Sequence, residues 1–268
     1  MKFEFVTVVY NNIKDTVDFI ESIAYMGNND KLSCVIVDNS DSNDIICAVR
    51  DLESIYPFVK VLCSGFNLGY FGAFNYYFSN SSIDVRSIVI LCNNDLVFDK
   101  NFILNLTNKN FPEDVFVVCP DVITLDGVHQ NPHVVNPLGK FRRLKLDLYF
   151  SHYFIAVLLK IFQKIQYKVI SKKLRYASES PQYLHMGIGA CYILLPSFLA
   201  QFKMLVYPHF LYGEEAYLSR QVQKAGGKLF YDPDLKVIHK ESATLSKIPI
   251  RKSYEFGRES YKMYKSFY

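Results

Sequence analysis

The 268-residue sequence has no tryptophan, no C-x-x-C pair, no Gly-rich phosphate-loop motif and no apolar run near the length of a bilayer. Each absence excludes something. The six cysteines (Cys34, Cys47, Cys63, Cys92, Cys119 and Cys191) are spaced neither as zinc ligands nor as a small disulfide framework. Most sit in apolar runs and read as buried, reduced thiols. The longest unbroken apolar run, Tyr153–Leu159, is far short of the ~20 residues that span a membrane. The opening MKFEFVTVVYNN lacks the shape of a secretory signal, which predicts a cytoplasmic protein, at most peripheral on the inner face of a membrane. A net charge of only +4 excludes a chain built throughout as a polycation for nucleic acid. With 50% hydrophobic and 21% charged residues, the chain is too apolar to be disordered and can bury a sizeable core.

What is present is an alternation of strand and helix signals. Phe3–Val9, Ser33–Asp38, Phe58–Cys63, Ser87–Cys92 and Val115–Cys119 are short Val/Ile-rich runs. Helical patterns at Lys14–Met26, Asp44–Ser54 and Tyr70–Ser79 lie between them. Continuous apolar strands separated by helices predict an α/β fold with a mostly parallel central sheet covered on both faces. The second half is less regular. Leu125–Gly139 reads as a long loop, Lys140–Arg175 as basic and apolar, and Tyr176–Gly187 as a polar loop. Ala190–Leu195 reads as a strand, Gly213–Ala225 as a helix, and Lys228–Tyr231 and Lys236–His239 as two short strands. The division predicted is 1–124 for one α/β half and 125–268 for the other.

In parallel sheets, ligands sit at the carboxyl ends of the strands. Those ends carry Tyr10-Asn11-Asn12, Asp38-Asn39-Ser40 and Asn93-Asn94-Asp95, which predicts one polar crevice. Asp38 can accept from a nucleobase or a ribose hydroxyl, although alone it serves equally as a turn cap. Asp95 among amides can hold a hard cation that also binds phosphate oxygens, since such sites use one or two carboxylates plus substrate phosphates. Alone, the triplet is also an ordinary polar turn. Glu214 and Glu215 open a helix, where carboxylates are favoured. Either can serve as a general base toward a hydroxyl or merely decorate the helix start. His239 ends a strand as a structural imidazole or as a further metal ligand.

In order and spacing these segments resemble one family. VTVVYNN, IVDNSDS, FNLGYFGAFNYY, LCNNDLVFD, GIGACYILLPSFL and FLYGEEAYLSRQVQKAGGKLFYDPDLKVIH, spanning about residues 3–240, are similar to inverting glycosyltransferases of family 2 with the nucleotide-binding GT-A fold. The resemblance implies a nucleotide-diphosphate sugar donor of UDP or dTDP type and a divalent metal, Mn2+ or Mg2+. The implied acceptor is a glycan or polyprenyl-linked glycan, as in rhamnosyltransferase-like enzymes of bacterial O-antigen or capsule synthesis. Asp38 matches the base-binding Asp. Tyr10, Asn67, Gly69, Asn75, Asn93 and Asn94 fall on the donor side. Asp95 matches the last Asp of D-x-D, and His239 a further metal ligand. Glu215 matches the base and Glu214 its acceptor-orienting neighbour. The D-x-D is thinned to Asn-Asn-Asp, and Glu replaces Asp at the base. Without tryptophan, the Q-x-x-R-W signature of processive synthases is absent, which implies one sugar per encounter.

The modest total charge hides an asymmetry: residues 140–175 carry net +9, residues 236–265 net +5 and the remainder −10. Lys160, Lys164 and Lys168 recur every four residues opposite Leu158, Phe162, Ile165 and Val169. This pattern fits an anionic membrane surface or an ordinary surface helix. No nucleic-acid-binding motif accompanies it. Two rivals stand beside the transferase: a catalytically weak nucleotide-sugar-binding or scaffold subunit, and a nucleotidyltransferase. The second would need a Gly-rich basic N-terminal loop, which VTVVYNNIKD does not supply.

Overall fold

A computed structural model describes residues 1–27, 31–169, 178–241 and 250–267, with the side chains of 162–169 and 250 outside the description. The first half follows the predicted alternation closely. Strand β1 (Phe3–Val9) leads to α1 (Ile13–Ala24), β2 (Leu32–Asp38), α2 (Asn43–Ile55), β3 (Val59–Cys63), α3 (Tyr70–Asn80) and β4 (Ile88–Asn93). β5 (Leu96–Phe98), α4 (Phe102–Thr107) and β6 (Val115–Thr124) follow. The second half contains α5 (Lys140–Ser151), α6 (Tyr153–Val169), β7 (Gln182–Leu184), β8 (Cys191–Leu194), α7 (Pro196–Gln201), α8 (Glu214–Lys224), β9 (Lys228–His239) and α9 (Ile250–Tyr264).

Among the described residues, nine strands form one sheet in the order β3-β2-β1-β4-β8-β6-β9-β5, with β7 on β9. β3, β2, β1 and β4 are parallel neighbours. The expectation of a mostly parallel sheet holds for this block and for the β6–β9 pair; β8 runs antiparallel to both β4 and β6. Among the described residues no helix is long and apolar enough to cross a membrane.

The pleat sorts side chains onto two faces. Phe3, Phe5 and Val9 of β1, with Ile88, Ile90 and Cys92 of β4, pack with Phe19, Ile20 and Ile23 of α1 and Phe102 of α4. Val6, Val89 and Leu91 point the other way, onto Phe71, Phe74 and Tyr77 of α3 and Leu218 and Val222 of α8. Helix α1 is placed by its apolar stripe at i, i+3, i+4, i+7 (Thr16, Phe19, Ile20, Ile23, all buried) and by its N-cap, the Asn12 side chain accepting from the Asp15 N–H. Each fully buried Phe in these layers contributes about 1.5–3 kcal/mol of apolar burial. Cys34, Cys92, Cys119 and Cys191 are buried as expected, whereas Cys47 is exposed and Cys63 half-buried; all six are free thiols.

Four departures from the sequence expectations share a cause, long-range pairing. Lys228–Tyr231 and Lys236–His239 are one strand, interrupted where Pro120 pairs Asp232 but Asp121 pairs Lys236. β5 exists because Leu96–Phe98 finds the far end of β9, and β7 because Gln182–Leu184 finds its near end. β6 continues past Cys119 to Thr124 along β9. The basic segment is two helices broken at His152, and the C-terminal basic tail contains the unanticipated α9. Of the expected lysine stripe, the side chains of Lys164 and Lys168 lie outside the described residues, as do positions 170–175.

Candidate active site

The carboxyl ends of β1, β2, β3 and β4 meet at one edge of the sheet. Asp38 closes β2 and is 2% exposed. Its Oδ1 accepts from the Ser40 N–H at 2.9 Å. Its Oδ2 is buried and has no hydrogen-bond partner among the described residues, an arrangement that costs stability unless a ligand donor completes it. Asn39, 1% exposed, ties the neighbouring loops together. Its amide donates to the Gly69 carbonyl at 3.1 Å, and its Oδ1 accepts from Ser64 Oγ at 3.0 Å. Asn67 Oδ1 in turn accepts from the Gly69 N–H at 2.9 Å. Gly69 has φ +73°, and a Cβ there would fall on the Phe210 carbonyl oxygen, so only glycine fits where α3 begins. Tyr10 lies at the rim, its hydroxyl donating to Asp41 at 3.0 Å, which raises the phenol's pKa.

Asp95 follows β4 and is 7% exposed. The β5–β9 register sets Leu96 opposite His239, and this brings His239 Nε2 to 3.3 Å from Asp95 Oδ1. The other ring nitrogen, Nδ1, faces Gln130 Oε1 at 2.8 Å. Gln130 donates its own NH2 to Glu241 at 2.8 Å, which leaves Oε1 as the acceptor and assigns the imidazole proton to Nδ1. Nε2 is thus the ring nitrogen turned toward the carboxylate, and in the neutral imidazole it carries the lone pair, with a backing hydrogen bond of the kind that orients metal-bound histidines. A divalent cation fits this donor set, with phosphate oxygens completing the shell. Among the described residues no cluster of three metal-ligating side chains occurs.

Glu214 and Glu215 begin α8 behind a two-residue left-handed turn, Tyr212 (φ +72°) and Gly213 (φ +89°). Glu214 is 7% exposed and accepts from the Tyr212 N–H at 3.1 Å. Burial, then the charge of Glu215, pushes its pKa well up. Burial also raises Glu215, opposed by its own helix-start N–H and by the backbone of Gly189 in the loop before β8. A Cβ on Gly189 would stand 2.9 Å from Glu215 Oε1, so the loop before β8 passes directly against this carboxylate. The Tyr70 hydroxyl donates to the Gly189 carbonyl at 2.9 Å. Part-buried beneath the site, its phenol is raised well above a free one, first by desolvation and in lesser part by Cys92, Cys191, Glu214 and Asp95. Two adjacent carboxylates in low dielectric do not both ionise readily. Glu214 is held by the backbone at the deeper position and Glu215 keeps partial solvent access, which suits a charged Glu215 beside a neutral Glu214.

The turn is clamped from outside. Tyr207 Oη donates to the Tyr212 carbonyl at 3.0 Å, Ser260 Oγ of α9 donates to the same oxygen, and Tyr212 Oη meets Ser253 Oγ at 2.5 Å.

The family model described as glycosyl transferase family 2 matches residues 4–170, more than half of the sequence. The chain belongs to glycosyl transferase family 2. Among curated proteins, no sequence matches it significantly. Solved structures share its fold. GalNAc-T7 with UDP, GalNAc and Mn2+ aligns with TM-score 0.62 at 13% identity, covering 92% of this chain and 45% of that one. The mannosyltransferase PcManGT from Pyrobaculum calidifontis, with GDP-Man and Mn2+, gives 0.57 at 13%, covering 91% and 58%. S. aureus TarS 1–349 with UDP-GlcNAc gives 0.57 at 11%, covering 93% and 62%. The chain thus spans about half to three-fifths of the length of these structures. At such identities the likeness is one of fold, and it fits the GT-A expectation.

In this family 2 chain the expected site residues are not all free to meet a ligand. Asp38, Asn67 and Gly69 gather at one end of the crevice. Asn93 ends β4, its N–H donating to the Ala190 carbonyl at 2.9 Å. Asn94 turns its amide onto α1, toward Thr16 Oγ1 at 3.0 Å and the Asn12 carbonyl at 3.3 Å. Asn75 has a structural task in addition to any donor contact. Its Nδ2 donates to the Leu205 carbonyl at 2.9 Å and its Oδ1 accepts from the Leu205 N–H at 2.7 Å, so both ends of the amide secure the loop after α7. Residues given no individual role in the sequence reading are Asn39, Tyr70, Gln130, Gly189 and the α9 serines. Asn39, Tyr70 and Gly189 lie inside quoted motifs and carried a local signal. Gln130 and Ser260 are placed only by distant chain.

Proposed function

We propose that this chain transfers a single sugar from a nucleotide-diphosphate donor, of UDP or dTDP type, to a hydroxyl of a glycan or polyprenyl-linked glycan, with inversion at the anomeric carbon. One observation carries the reading: a buried Asp38 with an open lone pair, the Asp95–His239 pair and the Glu214–Glu215 pair are linked through the adjacent residues Gly69 and Tyr70, which tie the Asp38 loop to the Gly189 loop. Asp38 accepts from the nucleobase. Asp95 and His239 would hold a divalent cation, Mn2+ or Mg2+, which when bound supplies positive charge for the leaving diphosphate. Glu215 takes the proton of the acceptor hydroxyl, whose oxygen attacks the anomeric carbon as the bond to the diphosphate breaks. Glu214 holds the turn and keeps Glu215 the ionised partner. The mannosyltransferase and GalNAc-T7 structures contain Mn2+ and nucleotide ligands, which supports a metal and a nucleotide sugar here. Rhamnosyl specificity, a role in O-antigen or capsule synthesis and a place on the inner face of a membrane belong to the same proposal.

A thermal-shift screen of nucleotide sugars with and without Mn2+ tests it, followed by product analysis. The expected result is a donor that stabilises wild type only with Mn2+ and no longer stabilises Asp95→Ala with or without it. Unchanged metal-dependent affinity in Asp95→Ala removes the metal role. The thinned Asn-Asn-Asp triplet favours a second reading, a binding or scaffold subunit. Donor binding without hydrolysis or transfer under Mn2+ would decide for it.

A further inference from the structure

Six large apolar side chains stand in solvent within 21 consecutive residues of α5 and α6. Phe141 is 90% exposed, Phe154 70%, Leu144 65% and Leu158 54%, with Ile161 and Leu148 somewhat less. On α5, positions 141, 144 and 148 fall within about 60° of one another at 3.6 residues per turn, and so do 154, 158 and 161 on α6. Each helix thus turns an apolar stripe outward. These are not core stripes left uncovered, because the core side of α5 is already used. The Phe150 ring stacks on Tyr261 of α9 at 4.6 Å, Arg258 Nε donates to the Phe150 carbonyl at 2.9 Å, and Leu146 joins a small cluster with Val134, Met186 and Tyr264. Tyr153 and buried Ala156 anchor α6 inward, with Tyr153 meeting Tyr254 at 5.3 Å. The charge around the outward stripes is one-sided: Lys140, Arg142, Arg143, Lys145 and Lys160 against Asp147 alone.

We propose that α5 and α6 lay these stripes into the headgroup region of an anionic phospholipid bilayer, with Phe141 and Phe154 as the inserting rings and Lys140, Arg142 and Lys145 on lipid phosphates. Large apolar tips flanked by cations suit a surface that is apolar at shallow depth and negative at its face. A second protein copy would bring the same cations together and repel. The inference deepens the polyprenyl-linked-acceptor reading and rests on it for its purpose. α9 joins α5 to the Tyr212–Gly213 turn, so a bilayer bound at α5 lies one helix away from the carboxylate pair.

Vesicle binding tests it without turnover. The chain has no tryptophan, so Phe154→Trp is a unique reporter. Its emission should shift to the blue with phosphatidylglycerol–phosphatidylcholine vesicles and stay unchanged with phosphatidylcholine alone. In co-sedimentation, Phe141→Ser/Phe154→Ser/Leu158→Ser should weaken binding at least about tenfold, because it withdraws apolar area from the bilayer. Lys140→Gln/Arg142→Gln/Lys145→Gln should weaken it and flatten the salt dependence. Melting curves matching wild type show that the exposed changes leave the fold intact. Equal binding by wild type and the apolar variant overturns the proposal, as does no binding by wild type at low salt. A dimer that the apolar variant turns into monomer, without vesicle binding, assigns the stripes to a second copy. Vesicle binding without any sugar transfer sinks the transferase reading alone, and transfer to a soluble acceptor without vesicle binding sinks the membrane inference alone.

Discussion

The two acidic ends of the cleft are built in opposite ways. Asp38 sits on a parallel strand whose position is set by its neighbours β1 and β3, and its loop is closed by nearby Ser40 and Asn39. Glu214 and Glu215 begin a helix whose entry turn is held by Tyr207, by Ser253 and Ser260 from α9, and by the Gly189 loop before β8. The first end is a local device on a rigid scaffold. The second is an assembly of distant segments and is therefore the easier one to disturb from afar.

The strongest way to break the comparison is Glu215→Gln. Transfer should fall by ~10²–10⁴, the usual loss with a general base, while nucleotide binding at the Asp38 end stays intact by calorimetry. If Glu214→Gln is the inactive variant and Glu215→Gln still turns over, the roles are reversed. Next comes Gly189→Ala. Its Cβ would stand 2.9 Å from Glu215 Oε1 and displace the carboxylate. An ångström of misplacement costs about 10²-fold in kcat, whereas donor affinity should hold; equal loss of both would mean that the loop serves the donor. Asp38→Asn should act only at the other end. Loss of a charge-assisted hydrogen bond, about 1.5–3 kcal/mol, should raise the nucleotide Kd about ten- to a hundredfold. Unchanged affinity would free Asp38 from the base.

The smallest effect is on stability against pH. Burial and the charge of Glu215 raise the folded-state pKa of Glu214. The native state then binds more protons than the unfolded chain above the free carboxylate value of about 4.3. The resulting stability is complete below that value and is lost as pH rises through the folded one. Glu214→Gln should flatten this fall in a series of melting temperatures from acid to mildly basic pH. A slope identical to wild type would place the proton elsewhere.

Local pattern located the first half of the fold and most of the donor end. Val/Ile runs that are buried on both faces are legible because every residue of such a strand must be apolar, and their ends fall where polar triplets begin. The same logic failed for Leu96–Phe98 and Gln182–Leu184, three-residue strands that exist only because β9 offers them partners. It is silent also on Asn75, whose position in a quoted motif carries no sign that both ends of its amide bond the Leu205 backbone.

The sequence by itself determined the class of fold, the crevice at the strand ends and the acidic residues that stand there, because periodicity and residue chemistry are local properties. Only the tertiary structure decided which of those residues meet. His239 reaches Asp95 through the β5–β9 register, and its tautomer is assigned by Gln130, 109 positions away. Glu215 has its place because Gly189 leaves room for it. The outward apolar stripes of α5 and α6 became visible only once α9 had taken their inner faces. In each case the deciding contact joins residues far apart in the chain, and a contact of that kind leaves no mark in local periodicity.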